Sequence, residues 1–427
     1  MANALFIGTL LLIGSAYLGY PAFVFVLGSF VGRPVKKDGI TPTVSVIIAA
    51  FNEERDIARK LENTLALDYP KDRLEIIVAS DCSSDATNDI VRSYSDRGVR
   101  LVVQPIRQGK TAAQNEAARV ATGEILLFSD ATTGYERDTV HKIVRNFADP
   151  AVGCVTGNVV YVDPAAGGVA SSAVGPSGVG PSSVNPSSVS PSCVSDGMRS
   201  YWGYEFFIKQ CESLCGSLIG VCGCLYAVRR SSYRALAPDM CSDFVIASEI
   251  QLQGLRTVYE PEAISTEFTN DRGDDEFRMR VRIAEQTVSS LHRYRQVLNP
   301  LRHGLFALQM TGHKVLRYSV PWLMVLLFGA SLLLRNSPVG KAAVAGQIAF
   351  YLVAAGGWVL DRAGARLGLL GLPYYFVLSN AAVAGGFIKF ARGQSHVVWQ
   401  PLRPQVLSSQ ALSTQTLSAQ SDSGREG

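Results

Sequence analysis

The chain reads as an α/β protein on a mostly parallel sheet, with one membrane helix before that domain and about three after it. Three observations predict this. Five β-branched runs alternate with helical stretches between Thr43 and Pro164. The polar residues of that region gather where the runs end. Apolar stretches almost free of charge lie at both ends of a chain whose charged fraction is only 18 %.

A length of 427 residues accommodates one soluble domain of ordinary size plus membrane segments. The formal net charge of +4 is too small to argue for nucleic acid, and no Lys/Arg block supports it. Eight cysteines occur, at 82, 154, 193, 211, 215, 222, 224 and 241, none in the C-x-x-C spacing of a zinc site. A reduced, cytosolic setting explains them better than disulfides, with Cys222 and Cys224 as small packing residues.

Residues 4–31 contain no charge and are long enough to span a bilayer with tilt. Arg33, Lys36 and Lys37 follow at once, so the positive-inside rule places what comes next on the cytosolic face of the cell membrane. A domain is then expected over 43–275. Its strands are TVSVIIAA, LEIIVAS, VRLVVQ, EILLFSD and VGCVTGNVVYV, continuous apolar runs as befits strands buried on both faces. Between them fall helices at Glu53–Leu67, Thr87–Tyr94, Thr111–Ala121 and Arg137–Phe147. Ligands of such folds sit at the carboxyl ends of the strands. There the chain places Asn52 and Glu53, Asp81 and Asp130.

Residues 165–196 form a degenerate Val/Pro/Ser pentad tract, read as a disordered insertion, since Pro at every fifth position excludes helix and central strand. Folding resumes at Arg199 with a one-sided stripe of Tyr201, Tyr204, Ile208, Cys211 and Cys215. Glycines 216, 220 and 223 mark a turn where something comes close to the backbone, and a short strand follows at Tyr226–Val228. Next stands Asp243, ahead of an amphipathic helix carrying Val245, Ile246, Ile250 and Leu252 and stopped by Gly254. Thr257–Tyr259 reads as a short strand closed by Pro261. Taken alone Asp243 is equally an N-cap or an acid placed to take a proton.

Residues 276–316 are basic and amphipathic; their arginines suit anionic lipid headgroups or a phosphate. Three apolar spans over 318–390 follow, at Tyr318–Leu334, Ala342–Leu360 and Leu367–Phe390, then a disordered tail, 404–427, with a second pentad run. Three spans would leave that tail outside, whereas Lys389, Arg392 and Arg403 favour the inside. Both readings stand.

No G-x-S-x-G, P-loop lysine or H-E-x-x-H motif is present. What converges on the sheet edge is a set of acids, Glu53, Asp81, Asp130 and Asp243, which Lys110 and Arg282 are able to join. Acids, a divalent metal and cations suit a diphosphate-containing substrate.

Across roughly Val44–Arg302, less the insertion, the chain resembles the membrane-bound family 2 glycosyltransferases with a GT-A domain, such as the hyaluronan, cellulose and poly-N-acetylglucosamine synthases. VSVIIAAFNEE stands where that family carries a Tyr-Asn-Glu turn stacking on uracil, so the resemblance gives Phe51 the stacking role, with Glu53 beside it. In VASDCSSDAT it makes Asp81 a base-recognising acid, and in GKTAAQN it sets Lys110 near the diphosphate. Residues 201–230 take the acceptor side, and CSDFVIASEIQLQGLR makes Asp243 the general base. Two departures matter. FSDATTG offers Asp130-Ala131-Thr132 where Asp-x-Asp is usual, so Thr132 is a weak metal ligand beside Asp130. The Gln-x-x-Arg-Trp motif of processive synthases keeps only its arginine, Arg282.

The resemblance implies an inverting transfer from a nucleotide-sugar, UDP-linked, to a glycan or lipid acceptor, with Mg²⁺ or Mn²⁺. One rival is transfer of a single sugar to a polyprenyl phosphate or other lipid. Another is a non-catalytic membrane protein that binds nucleotide or recruits partners.

Overall fold

The computed structural model describes residues 1–162, 193–268, 273–363 and 371–394. Most of the pentad tract and all of the tail lie outside these residues.

The N-terminal apolar segment forms α1 (Ala2–Gly14) and α2 (Tyr20–Val31), joined by a π-turn at Ser15–Gly19. The α/β domain then runs β1 (Val44–Ala50), α3 (Ile57–Leu65), β2 (Leu74–Ser80), α4 (Thr87–Arg92), β3 (Val99–Val103), α5 (Lys110–Val120) and β4 (Ile125–Asp130). It continues with β5 (Gly134–Tyr135), α6 (Thr139–Val144), β6 (Val152–Val162), α7 (Cys193–Cys215), β7 (Leu225–Arg229), α8 (Ser242–Leu252) and β8 (Arg256–Phe268). After it come α9 (Gly273–Arg293), α10 (Pro300–Met310), α11 (Leu316–Leu333), α12 (Pro338–Arg362) and α13 (Gly371–Ala391).

The eight strands form one sheet in the order β3-β2-β1-β4-β7-β6-β8-β5. β1 to β4 pair in parallel, as crossover helices require, and β7 enters antiparallel between β4 and β6. The β-branched runs are buried on both faces: Val46 and Ile48 pack under α3, while Ile47 and Phe128 pack beneath α5 and α8. The order in which β1, β2 and β4 lie side by side aligns their carboxyl ends, and the acids with them.

β8 is longer than its sequence suggests. Thr257–Tyr259 is not closed by Pro261; the strand runs on through it, because Pro261 falls in a register shift between Tyr259 and Ile264 where no ladder N–H is needed. Gly157 opposes that shift, and a Cβ there would lie 2.6 Å from the Ala263 carbonyl oxygen. The pentad reading also ends sooner than expected, since the last residues of 165–196 already belong to α7.

The stripe on α7 does not enter the sheet core. Ile208, Cys211 and Cys215 bury against Tyr20 and Val24 of α2, so α7 clamps the domain to the N-terminal membrane helix. Among the described residues, four helical stretches are long and apolar enough to cross a membrane: Ala2–Val31, Pro300–Leu333, Pro338–Arg362 and Gly371–Ala391. The end of the amphipathic stretch expected over 276–316 is part of the second, running through a π-turn at Thr311–Val315.

That π-turn aims His313 at α7. Its Nδ1 lies 2.7 Å from Glu212 Oε1 and its Nε2 3.1 Å from Glu205 Oε2, while Arg317 pairs with Glu205 and the Tyr20 hydroxyl donates to Glu212. Burial pushes the Glu205 carboxyl up, but Arg317 and His313 outweigh it and hold it well below the usual range. His313 thus stands between the two glutamates, with Arg317 against the same Glu205, so α7 and this helix meet in a buried polar cluster.

Removing one partner of a buried pair strands the other. Arg317→Leu is expected to cost about 3–5 kcal/mol and lower the thermal midpoint of the detergent-solubilised chain. An unchanged midpoint would show that the cluster does not hold α7 to the membrane helices.

Candidate functional site

Among the described residues two non-glycine residues take positive φ, Asn52 (54°) and Cys82 (57°), in the loops after β1 and β2. Such strain concentrates where loops are forced into functional shapes. The Asn52 side-chain oxygen accepts from the Ser84 N–H (2.8 Å), and the Glu53 N–H donates to Thr87 Oγ1 (2.7 Å), so the two loops brace each other. Glu53 is 2 % exposed, and its carbonyl starts the turn into α3 by accepting from Ile57 N–H (2.9 Å).

Asp81 accepts from the backbone N–H of Gln108 (2.8 Å) and of Gly109 (2.9 Å), folding the loop after β3 onto the end of β2. That fold lays the Arg107 guanidinium over the Phe51 ring, 3.5 Å from its centroid. Gly109 has φ +90°, a conformation a side chain rarely adopts, and from it α5 starts with Lys110 as its first residue.

Lys110 Nζ lies 2.6 Å from Asp130 Oδ1 and donates to the Gly223 carbonyl (3.3 Å). Burial alone would lower its pKa, but the Asp130 and Asp243 carboxylates overcome that and raise it, so Lys110 stays charged. The loop after Asp130 is gripped from α3. Lys60, wholly buried, donates to the Thr133 carbonyl (2.9 Å) with its ammonium over the Tyr135 ring, and Arg59 donates to the Thr132 carbonyl (3.3 Å). Burial pulls Lys60 down to about 7, against the field of Asp130.

Asp243 lies in the first turn of α8 but is not its cap. Cys241 is the N-cap, in extended conformation, and Asp243 makes no capping bond. Its carboxylate rests instead on Gly223, where a Cβ would lie 2.7 Å from Oδ1 and nearer still to Oδ2. The Val221 N–H donates to the Asp243 carbonyl (2.8 Å), tying the 220–224 turn to α8. Arg282, from α9, completes the group: burial lowers its pKa, opposed by Cys241, Asp243 and Asp130.

The structure therefore brings Lys110, Asp130, Asp243 and Arg282 together, and sets Phe51 and Asp81 beside them around Arg107. Glu53 braces the turn beneath. Thr132 sits in the gripped loop, half buried. Of the other arginines on α9, Arg280 turns away to Glu276 (2.7 Å) and stacks on Tyr375 of α13, so it is spent on holding α9 to a membrane helix.

Sequence reasoning missed Glu267. Burial, and then the Asp130 carboxylate, push it up to about 8, with Lys110 opposing. The signal was the alternation of TEF beyond Pro261, hidden by ending the strand at the proline.

Among the described residues no three His, Cys, Asp or Glu side chains form a metal cage. A hard divalent ion carried in on phosphates needs only one or two protein carboxylates. Asp130, with Glu267 crowding it, provides that set, so the residues fit Mg²⁺ or Mn²⁺ arriving with a diphosphate.

Residues 45–234 match the family model described as Glycosyl transferase family 2. The chain is similar to "Probable glycosyltransferase YdaM" of Bacillus subtilis, 36 % identical over 130 residues, 29 % of this chain and 31 % of that protein. It is also similar to the poly-beta-1,6-N-acetyl-D-glucosamine synthase of Staphylococcus epidermidis, 32 % identical over 117 residues, 27 % of this chain and 28 % of that protein. The matches thus span about a third of these relatives' length. Among solved structures, the mannosyltransferase PcManGT from Pyrobaculum calidifontis, in complex with GDP-Man and Mn²⁺, superposes with a TM-score of 0.65 at 22 % identity. That match covers 92 % of this chain and 100 % of the other, and shows a shared fold.

Gly223→Ala tests the contact between the turn and Asp243. A methyl there displaces the carboxylate, and a misplacement of about 1 Å costs roughly 10²-fold in turnover. Nucleotide affinity should stay within about twofold, since the loops after β1 and β2 are untouched. Parent-like turnover would mean that the position of Asp243 is immaterial.

Proposed function

We propose that this chain, which carries a family 2 glycosyltransferase domain over residues 45–234, transfers a sugar from a nucleotide-linked donor to a hydroxyl of a glycan or lipid acceptor at the cytosolic membrane face, inverting the anomeric carbon. The observation that carries this is the placement of Asp243: a carboxylate seated on a glycine turn, in the field of Lys110 yet on a different element from Asp81 and Asp130.

The donor is taken to be a UDP-sugar. Phe51 stacks on the base, Asp81 shapes the loop that bears Arg107 and Lys110, and Lys110 lies along the diphosphate. Asp243 accepts the proton of the acceptor hydroxyl as its oxygen bonds to the anomeric carbon. The bond from that carbon to the diphosphate oxygen breaks with its electron pair, and Lys110 and Arg282 stabilise the charge that collects there. A bound Mg²⁺ or Mn²⁺ would add positive charge at the departing diphosphate. Asp130 would hold it, with the Thr132 hydroxyl as a weaker ligand and Glu267 beside them.

Asp243→Asn keeps the side chain's size and removes no helix cap. Turnover in detergent should fall by about 10²–10⁴-fold, the usual worth of a general base, with UDP affinity nearly unchanged. Asp81→Asn should do the reverse, loosening the loop over Phe51 and weakening donor binding while leaving turnover at saturation. A panel of UDP- and GDP-sugars fixes the donor first; near-normal turnover of Asp243→Asn would overturn the assignment.

Thr132→Asp should lower the Mn²⁺ concentration for half-maximal turnover, because hard cations prefer a carboxylate to a neutral hydroxyl. No shift in the titration, or an upward one, removes Thr132 from the metal.

A further inference from the structure

Cys222 and Cys224 sit at the turn on which Asp243 rests. The Leu225 N–H donates to the Cys222 carbonyl (3.1 Å), a β-turn with Gly223 and Cys224 at its corner. Within this turn the two sulfurs are 3.3 Å apart. Both thiols are free, and Cys222 and Cys224 are 9 % and 3 % exposed. A disulfide needs about 2.05 Å, so closing the pair takes a movement of roughly 1.3 Å.

That movement has somewhere to register. Gly223, between the two cysteines, touches the Asp243 carboxylate on one side and gives its carbonyl to Lys110 on the other. The Cys224 carbonyl accepts from the Tyr135 hydroxyl (2.8 Å), and the Cys222 N–H donates to Thr156 Oγ1 (2.8 Å). The turn is thus pinned at both cysteines and packed against the site at the glycine. Any part of that movement taken up by the backbone rather than by side-chain rotation falls on Gly223, which lies between the two cysteines.

We propose that Cys222 and Cys224 form a redox-modification site, oxidised by peroxide to a disulfide that moves Gly223 against Asp243 and Lys110 and switches the site off. One thiolate attacks a peroxide oxygen, releasing water and leaving a sulfenic acid; the second thiol attacks that sulfur and expels the oxygen as a second water. Two sulfurs lose two electrons between them, and hydrogen peroxide is reduced to two waters. A dithiol reverses the step. The hydrogen bond from Cys224 to Cys222 lowers the pKa of the latter against the effect of burial, helped by Lys209, so Cys222 is the first to react.

The inference that the switch acts on transfer rests on the proposed function; the modification itself does not. The full-length chain in detergent is treated with hydrogen peroxide, free thiols are blocked, and fragment-ion mass spectrometry reads the segment holding Cys211, Cys215, Cys222 and Cys224. Loss of two hydrogens is expected at Cys222 and Cys224. Turnover should fall at least tenfold and return with dithiothreitol. Cys222→Ser and Cys224→Ser, each measured against its own untreated turnover, should be insensitive, with the alanine variants standing in if either serine variant misfolds. Oxidation confined to other cysteines overturns the proposal, as does equal sensitivity in both variants, or a disulfide with unaltered turnover. The mass readout holds even for a chain that turns over no nucleotide-sugar, so the two failures are distinguishable.

Discussion

Lys110 is the tie on which the site depends. Its ammonium joins Asp130, at the end of β4, to the carbonyl of Gly223, in the turn that carries Asp243. Three parts of the chain far apart in sequence meet at one charge. The geometry that delivers it is equally constrained: Gly109 must take positive φ, and Asp81 must hold the N–H groups of Gln108 and Gly109, or α5 would not start facing the acids. A cation among carboxylates in a partly desolvated site is worth more than the same pair at the surface, and it keeps its proton for that reason. In the proposed reaction it faces a diphosphate as well, and the surplus of negative charge is what a divalent ion would offset.

The membrane helices are coupled to this site through two contacts of different kinds. α7 is pinned by the cluster of Glu205, Glu212, His313 and Arg317, buried where water cannot compete. α9 packs against α13 at Gly386, where a Cβ would lie 2.6 Å from that of Ala284, so only the absence of a side chain permits the approach. The same α9 carries Arg282 into the site. The last membrane helix thus packs directly on the element that holds a cation in the field of Asp243 and Asp130.

Much of the sheet was legible because burial on both faces demands unbroken β-branched runs, and the acids at the ends of β1, β2 and β4 had no core role to explain them. Of the stripe Tyr201–Cys215, Tyr204, Ile208, Cys211 and Cys215 share one packed face, but what that face packs on was hidden, since an apolar face does not name its partner. Pro261 misled for a local reason: it forbids a ladder hydrogen bond, and only the register with β6 shows that none is needed there. Asp243 could be told from an N-cap only once Cys241 was seen to hold that position.

What the sequence by itself determined was periodicity and order: which segments are strands, which helices are apolar enough for a membrane, and which polar residues stand at strand ends. These follow from backbone geometry and burial, which act over a few residues at a time. Only the tertiary structure decided which distant groups share a field. Glu267 beside Asp130, Gly223 under Asp243, His313 between two glutamates and the paired sulfurs of Cys222 and Cys224 all arise where elements cross. Electrostatics and close packing fall off over a few ångströms of space, a distance that separation along the chain does not encode.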